Sequence, residues 1–203
     1  MPLYKDLSDE NAEIYLWKYE EGDDLDEKKL IEPENVERFQ SYQPKKLLEV
    51  LMVREMISKK LPGYKILYND TEPYLEPRDF EISISHSFPY AAVAFAKQKI
   101  GIDVEAFKLK IIRVKDKFIQ PEEQGFISKN LEVEYLTVIW SIKESLYKIH
   151  HSNYWSLKKH YEVRPFDLND VEKIECRVHD EQFSDEYTAR AFFFDGYVLT
   201  IVE

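Results

Sequence analysis

The sequence predicts an α+β fold made of two halves, each pairing a long helix with a few antiparallel strands. Three observations carry this. Lys45 to Leu61 and Glu132 to Ile149 both have helical apolar spacing. Short strand-like runs flank each of these stretches, and Asp195-Gly196 between two such runs is a hairpin signal. A polar turn at Gln98-Lys99 falls between two apolar runs near the middle of the chain. With 203 residues the chain suits one large domain or two small packed halves. The expected division is 1–98 and 99–203.

Taken in order, Glu13 to Tyr19 alternates apolar and polar residues and reads as a strand. Leu25 to Leu61 reads as largely helical, broken near Tyr42-Gln43-Pro44. Its second part carries Leu47, Leu48, Leu51, Met52, Glu55 and Met56 as a core-facing stripe, and Pro62-Gly63 ends it. Tyr64 to Tyr68 reads as a short strand, and Asn69 to Arg78 as turns rich in Asn, Asp and Pro. Phe80 to Ser85 is a strand and Tyr90 to Ala96 a buried one. Ile100 to Glu105 is the next strand. Ile111 to Phe118 and Gln120 to Lys129 read as short helices, the second acidic in its first turn as the helix dipole prefers. Glu132 to Ile149 is a long helix, and His150 to His160 a polar, aromatic loop. Tyr161 to Val163, Lys173 to His179, Tyr187 to Phe194 and Tyr197 to Val202 complete the strands.

A formal net charge of −11 argues against nucleic acid or an anionic membrane as the main partner. The single cysteine, Cys176, excludes an internal disulfide and a cysteine-based zinc cluster. Its alternating context with Ile174 and Val178 points to an inward-facing strand position. No run of about 18 apolar residues is present, so no membrane span is expected. Met1-Pro2-Leu3-Tyr4-Lys5-Asp6 lacks an apolar leader segment, so a cytoplasmic location is expected.

The chemistry concentrates in two segments. In Gly101-Ile102-Asp103-Val104-Glu105, the two carboxylates are i and i+2 in a strand and share a face. In Trp140-Ser141-Ile142-Lys143-Glu144-Ser145-Leu146-Tyr147-Lys148, Glu144 and Lys148 are i and i+4 on one helix face, with Trp140 a turn earlier. Brought together, three carboxylates and a lysine make a site for a hard divalent cation and a phosphate. Mg²⁺ is the first expectation, because it takes one or two carboxylates, waters and substrate phosphates.

These segments, with Ile82-Ser83-Ile84-Ser85-His86-Ser87 upstream, resemble the 4′-phosphopantetheinyl transferases of the surfactin-synthetase-activator group. G-I-D-V-E, W-S-x-K-E-x-x-x-K and S-x-S-H-S occur in that order, and the resemblance runs roughly from Lys45 to Phe166. It implies two pseudo-symmetric lobes, each a small antiparallel sheet packed on a long helix. The first lobe would contact coenzyme A phosphates and the second would carry the metal site. It implies that Asp103, Glu105 and Glu144 bind Mg²⁺ and that coenzyme A is the substrate. Ser85 and His86 would contact its phosphates, with Arg54, Lys45 and Lys46 as basic candidates on the preceding helix. Lys148 would stabilise the departing 3′,5′-adenosine diphosphate. Lys143 points to another helix face, and both a phosphate contact and a structural role stay open for it. Either Glu144 or a metal-bound water takes the serine proton. Trp140 reads as core.

The implied reaction moves 4′-phosphopantetheine from coenzyme A to a serine of an acyl or peptidyl carrier protein, with a monomer sufficient to complete the site. Two other readings share these residues: a catalytically degenerate module that binds coenzyme A or a carrier protein, and a Mg²⁺-dependent pyrophosphate hydrolase. One departure favours the binding module. Where the family has Gly-Lys-Pro before the S-H-S strand, this chain has Thr71-Glu72-Pro73, which reverses a charge. With a net charge of −11, docking an acidic carrier requires either basic residues concentrated around the cleft or mostly apolar contacts. Ile111 to Phe118, with Arg113, Lys115 and Lys117, is the expected docking segment.

Overall fold

The computed structural model describes residues 3–150 and 156–203. Met1, Pro2, His151 and the first part of the loop expected after His150 lie outside the described residues. The chain forms two compact units, Met1–Lys99 and Ile100–Glu203.

In the first unit, β1 (Leu3–Asp6) and β2 (Ala12–Lys18) precede two single-turn helices, α1 (Glu27–Leu30) and α2 (Val36–Phe39). The long helix α3 (Pro44–Lys60) follows, then the hairpin β3 (Lys65–Asn69) and β4 (Glu72–Glu76), then the hairpin β5 (Glu81–Ser87) and β6 (Tyr90–Ala96). The main sheet is antiparallel in the order β1-β2-β6-β5, and β3 and β4 pair separately. Met52, Val53, Met56 and Ile57 of α3 pack with Tyr15, Trp17, Ala91, Val93 and Phe95 of the sheet.

The second unit runs β7 (Gly101–Ala106), a 3-10 segment Leu109–Lys117, α4 (Glu132–His150), the single turn α5 (Leu157–His160), β8 (Tyr161–Val163), β9 (Ile174–His179), β10 (Ser184–Phe194) and β11 (Tyr197–Val202). Its sheet is antiparallel in the order β7-β11-β10-β9-β8. Leu136, Ile139, Ile142 and Leu146 form the buried stripe of α4, packed with Val163, Ile174, Cys176, Val178, Ala189 and Val198. Each fully buried Leu, Ile or Val of this set contributes about 1.5–3 kcal/mol of transfer free energy.

The two units repeat one connectivity. Each has a strand, a long helix, and a closing hairpin whose last strand pairs with that first strand. Lys18 opposes Tyr90 beside the β5–β6 turn, as Ala106 opposes Tyr197 beside the β10–β11 turn. The second turn has Asp195 at φ 41° and Gly196 at φ 77°, the two positive angles that a two-residue Asp-Gly hairpin demands. The α+β class expected from the sequence is therefore the one observed.

Four local expectations differ from the structure. Gln120 to Lys129, expected as a short helix, holds the single 3-10 turn Glu123–Gly125 and the start of another at Lys129. The stretch from Leu25 to Pro44 holds only single helical turns. It is pinned by tertiary bonds instead: the buried Glu32 carboxylate accepts from Arg54 Nε at 2.8 Å, Asn35 Nδ2 at 2.7 Å and Ile66 N at 3.1 Å. Residues 72–76, expected as turn, form β4, where Pro73 sits in a two-stranded ribbon and Leu75 is fully buried. That position is open to proline because the ribbon has free edges. The segment Leu109–Lys117 is 3-10 rather than α-helical.

Candidate active site

Asp103 and Glu105 both face α4. Asp103 Oδ1 accepts from Lys148 Nζ at 3.0 Å, and Glu105 Oε1 accepts from Trp140 Nε1 at 3.0 Å. Trp140, Glu144 and Lys148 are successive turns of one helix stripe, so Glu144 is held between these two contacts. The Asp103 charge acts on both glutamates. Burial and then the Asp103 charge push Glu144 up to about 7, and the same two causes raise Glu105. Lys148 opposes both shifts. Its ammonium also donates to Ile102 O at 2.7 Å, which fixes it over β7.

The helix is set unusually close to the strand. A Cβ on Gly101 would lie 2.0 Å from Ser145 O and 2.7 Å from Ser145 C, so only glycine permits this approach. A buried hydroxyl cluster locks it. Thr200, opposite Asp103 on β11, shares hydrogen bonds with Ser141 at 2.8 Å and Ser145 at 2.9 Å. Ser141 Oγ also donates to Asp103 O at 3.2 Å.

The donor set suits a hard cation: two carboxylates on one strand face and a third on the facing helix, with a lysine as internal counter-charge. Among the described residues, no three His, Cys, Asp or Glu side chains already converge as a formed metal cage. A cation held by one or two carboxylates and completed by substrate oxygens needs no such cage.

Two sequence-predicted residues take other roles. Lys143, for which a phosphate contact was one reading, is fully buried; its Nζ donates to Glu123 Oε2 and Phe118 O, both at 2.7 Å. It is a structural ion pair, because α4 turns this side chain away from the carboxylates and into the core. Arg54, expected to face the coenzyme, is 3% exposed and is taken by Glu32 and the Phe39 ring, 4.7 Å away. Burial removes both from an open phosphate site.

Other candidates gather elsewhere in the first unit. His86 lies within β5, opposite Ala91, rather than beyond the strand end. Its Nε2 is 2.8 Å from Lys46 Nζ and its Nδ1 3.2 Å from Glu49 Oε2. That arrangement places the ring proton on Nδ1, facing Glu49, with Nε2 accepting from the lysine. Ser85 is buried on the neighbouring position, and Lys45 Nζ lies 5.2 Å from the centroid of the Phe88 ring.

Beside the carboxylates runs a groove of about 300 Å³, lined mainly by apolar surface from Ile111, Val114 and Trp140, with Glu105 at one end and Lys108, Lys110 and Arg113 around it. Sequence reasoning missed the Trp140–Glu105 bond, the Ser141–Thr200–Ser145 cluster and buried Glu123. Each joins residues more than a dozen positions apart, so no local spacing signals it.

A model of the family described as the 4′-phosphopantetheinyl transferase superfamily matches residues 99–202, just over half of the chain. The chain is 30% identical over 135 residues to 4′-phosphopantetheinyl transferase Sfp of Bacillus subtilis (strain 168), a match covering 58% of this chain and 59% of that protein. It is 28% identical over 110 residues to 4′-phosphopantetheinyl transferase gsp of Aneurinibacillus migulanus, covering 50% of this chain and 46% of that one. The chain thus spans about half to three fifths of the length of these relatives.

Proposed function

The chain belongs to the 4′-phosphopantetheinyl transferase superfamily, and we propose that it transfers 4′-phosphopantetheine from coenzyme A to a serine hydroxyl of an acyl or peptidyl carrier protein. The observation that carries this reading is the pair of bonds, Lys148 to Asp103 and Trp140 to Glu105, that sets both β7 carboxylates against the α4 face bearing Glu144. Asp103, Glu105 and Glu144 would hold Mg²⁺, which supplies positive charge against a pyrophosphate when bound. The serine oxygen forms a bond to the phosphorus that carries the pantetheine arm, and the bond from that phosphorus to the bridging oxygen breaks. The electron pair leaves with 3′,5′-ADP, and Glu144, directly or through a water, accepts the serine proton. Lys148 spends two of its three N–H groups on Ile102 O and Asp103, so the third is directed to a phosphate oxygen. Lys45 and His86 of the first unit are the proposed contacts to the coenzyme phosphates; Ser85, expected to join them, is 6% exposed and is set aside on the same ground as Arg54.

The test is intact-mass spectrometry of an apo carrier protein incubated with this protein, coenzyme A and Mg²⁺. A gain of one phosphopantetheine, abolished by EDTA, supports the reading. Coenzyme A binding without any gain across several carriers would replace it with the binding module, and Glu72→Lys would be the reversion to make. Release of pantetheine phosphate with no carrier present would favour the hydrolase.

The carrier would dock on the segment Leu109–Lys117, where Leu109 is 77% exposed and basic groups surround the groove. Lys115 is already engaged by Glu132 at 2.7 Å, and Lys110 acts on Glu105, so the informative reversals are Lys108→Glu, Arg113→Glu and Lys117→Glu. Three exposed charge pairs at about 0.2–1 kcal/mol each amount to roughly a tenfold effect. The triple variant should raise KM for the carrier about tenfold at low salt, less at high salt, and leave KM for coenzyme A within about twofold. Equal rises in both KM values would remove this surface from docking.

A further inference from the structure

We propose that Trp140, backed by Phe118 and the buried Lys143–Glu123 pair, is a positioning brace that sets the direction of the Glu105 carboxylate toward a bound cation. The inference rests on the metal-dependent reading above and adds a set of residues that do not touch substrate. It follows from one continuous chain of contacts. Glu123 is 1% exposed, and its oxygens accept from Lys143 Nζ, from Gln120 N at 2.8 Å and from Val163 N at 3.0 Å. The fully buried Lys143 also holds Phe118 O at 2.7 Å. The Phe118 ring meets Trp140 edge-on, with centroids 5.1 Å apart and planes at 77°. Trp140 Nε1 then donates to Glu105 Oε1 at 3.0 Å.

Indole is a donor only, so this bond claims one lone pair of one oxygen and leaves the other oxygen of Glu105 available to a cation. A charged acceptor gains more from a donor than a neutral one does, so the bond is a strong restraint on the carboxylate rotamer. Partners of this kind behind a metal-binding carboxylate change metal affinity by about 10–100-fold. The ion pair supplies rigidity from below. Gln120 Nε2 donates to Tyr161 O at 3.0 Å, so the turn carrying Phe118 is tied to β8 as well as to α4. Sequence spacing reads Trp140 as core, and its ring is packed there; the Nε1 bond is the part that acts on the site.

Removing Lys143 alone would strand a buried Glu123 charge and threaten the fold, so the test goes through the aromatic links. Trp140→Phe keeps the ring and removes the donor. Phe118→Leu keeps apolar volume and removes the edge contact. Binding of Mn²⁺ to the full chain is measured by electron paramagnetic resonance, beside thermal midpoints and the Mg²⁺ dependence of carrier modification. Trp140→Phe should weaken Mn²⁺ binding about tenfold, with a smaller loss in Phe118→Leu. Trp140→Phe should lower kcat at limiting Mg²⁺ and recover it at saturating Mg²⁺. On a Glu105→Gln background the Trp140→Phe loss should vanish, because both substitutions act through one carboxylate. Mn²⁺ binding by Trp140→Phe within twofold of wild type overturns the brace, as does a loss that persists on the Glu105→Gln background. A wild type that holds Mn²⁺ yet modifies no carrier would remove the transfer reading and leave the brace standing.

Discussion

Asp103→Asn should lower carrier modification by about three orders of magnitude while the protein stays folded. Asp103 is 7% exposed and lies between Lys148 and the two glutamates. Asn keeps its size, and the Ser141 bond to the Asp103 carbonyl is untouched. On the proposed reading, what is lost is a negative oxygen facing the cation. At about 4 kcal/mol of transition-state charge stabilisation, the rate falls roughly 10³-fold. The fold should tolerate the change, because two effects oppose each other. The Lys148 ion pair is weakened, and the repulsion that raises Glu105 and Glu144 is relieved. In Mg²⁺-free buffer the thermal midpoint should therefore stay within a few degrees of wild type. Added Mg²⁺ should raise the wild-type midpoint by ligand linkage and leave the variant where it was. Intact-mass rates and paired melts with and without Mg²⁺ measure this. A variant that modifies carrier within tenfold of the wild-type rate would take Asp103 out of the cation site.

The contrast between the two units explains what the sequence made legible. Asp103 and Glu105 could be placed on one face from a two-residue spacing, and Glu144 with Lys148 from a four-residue one. At the matching positions of the first unit, counted from the hairpin turn, β2 carries Tyr15 and Trp17, which sit in the core against α3. The repeat is invisible in the letters because one unit fills these positions with aromatic core and the other with carboxylates. Lys143 and Arg54 were harder for a related reason. Each lies in an amphipathic helix where a cation usually reaches solvent, and each is buried by a carboxylate 20 or 22 positions earlier. A helical period says which face a residue takes but not which distant acid awaits it there. The segment before Pro44 failed in the same way: Glu32 recruits backbone and side-chain donors from across the unit, and these outweigh a weak helical tendency.

Gly101→Ala is the substitution that separates the packing of the site from its charge, because it alters no ionisable group. The added methyl would meet Ser145 O at 2.0 Å and Ser145 C at 2.7 Å. Those are backbone atoms in the middle of α4, so no side chain can swing away. The helix must lift from β7. Lifting stretches the Thr200 bonds to Ser141 and Ser145, the Ser141 bond to Asp103 O and the Lys148 bond to Ile102 O together. Overpacking of this kind costs about 1–3 kcal/mol. For a chain of this size each kcal/mol shifts the midpoint by about 2–4 °C, so a fall of roughly 5–10 °C is expected. Activity should fall further than that stability loss explains. Glu144 and Lys148 ride on α4 while Asp103 and Glu105 stay on β7, and a displacement of about 1 Å between reacting groups costs around 100-fold. Measured well below its midpoint, Gly101→Ala should therefore retain its helix content and lose about 100-fold in transfer. Ser145→Ala, which removes one hydroxyl and leaves the helix seated, should lose far less. If Gly101→Ala melts early yet transfers normally when folded, the close seating of α4 serves stability alone, and the carboxylates do not depend on it for their alignment.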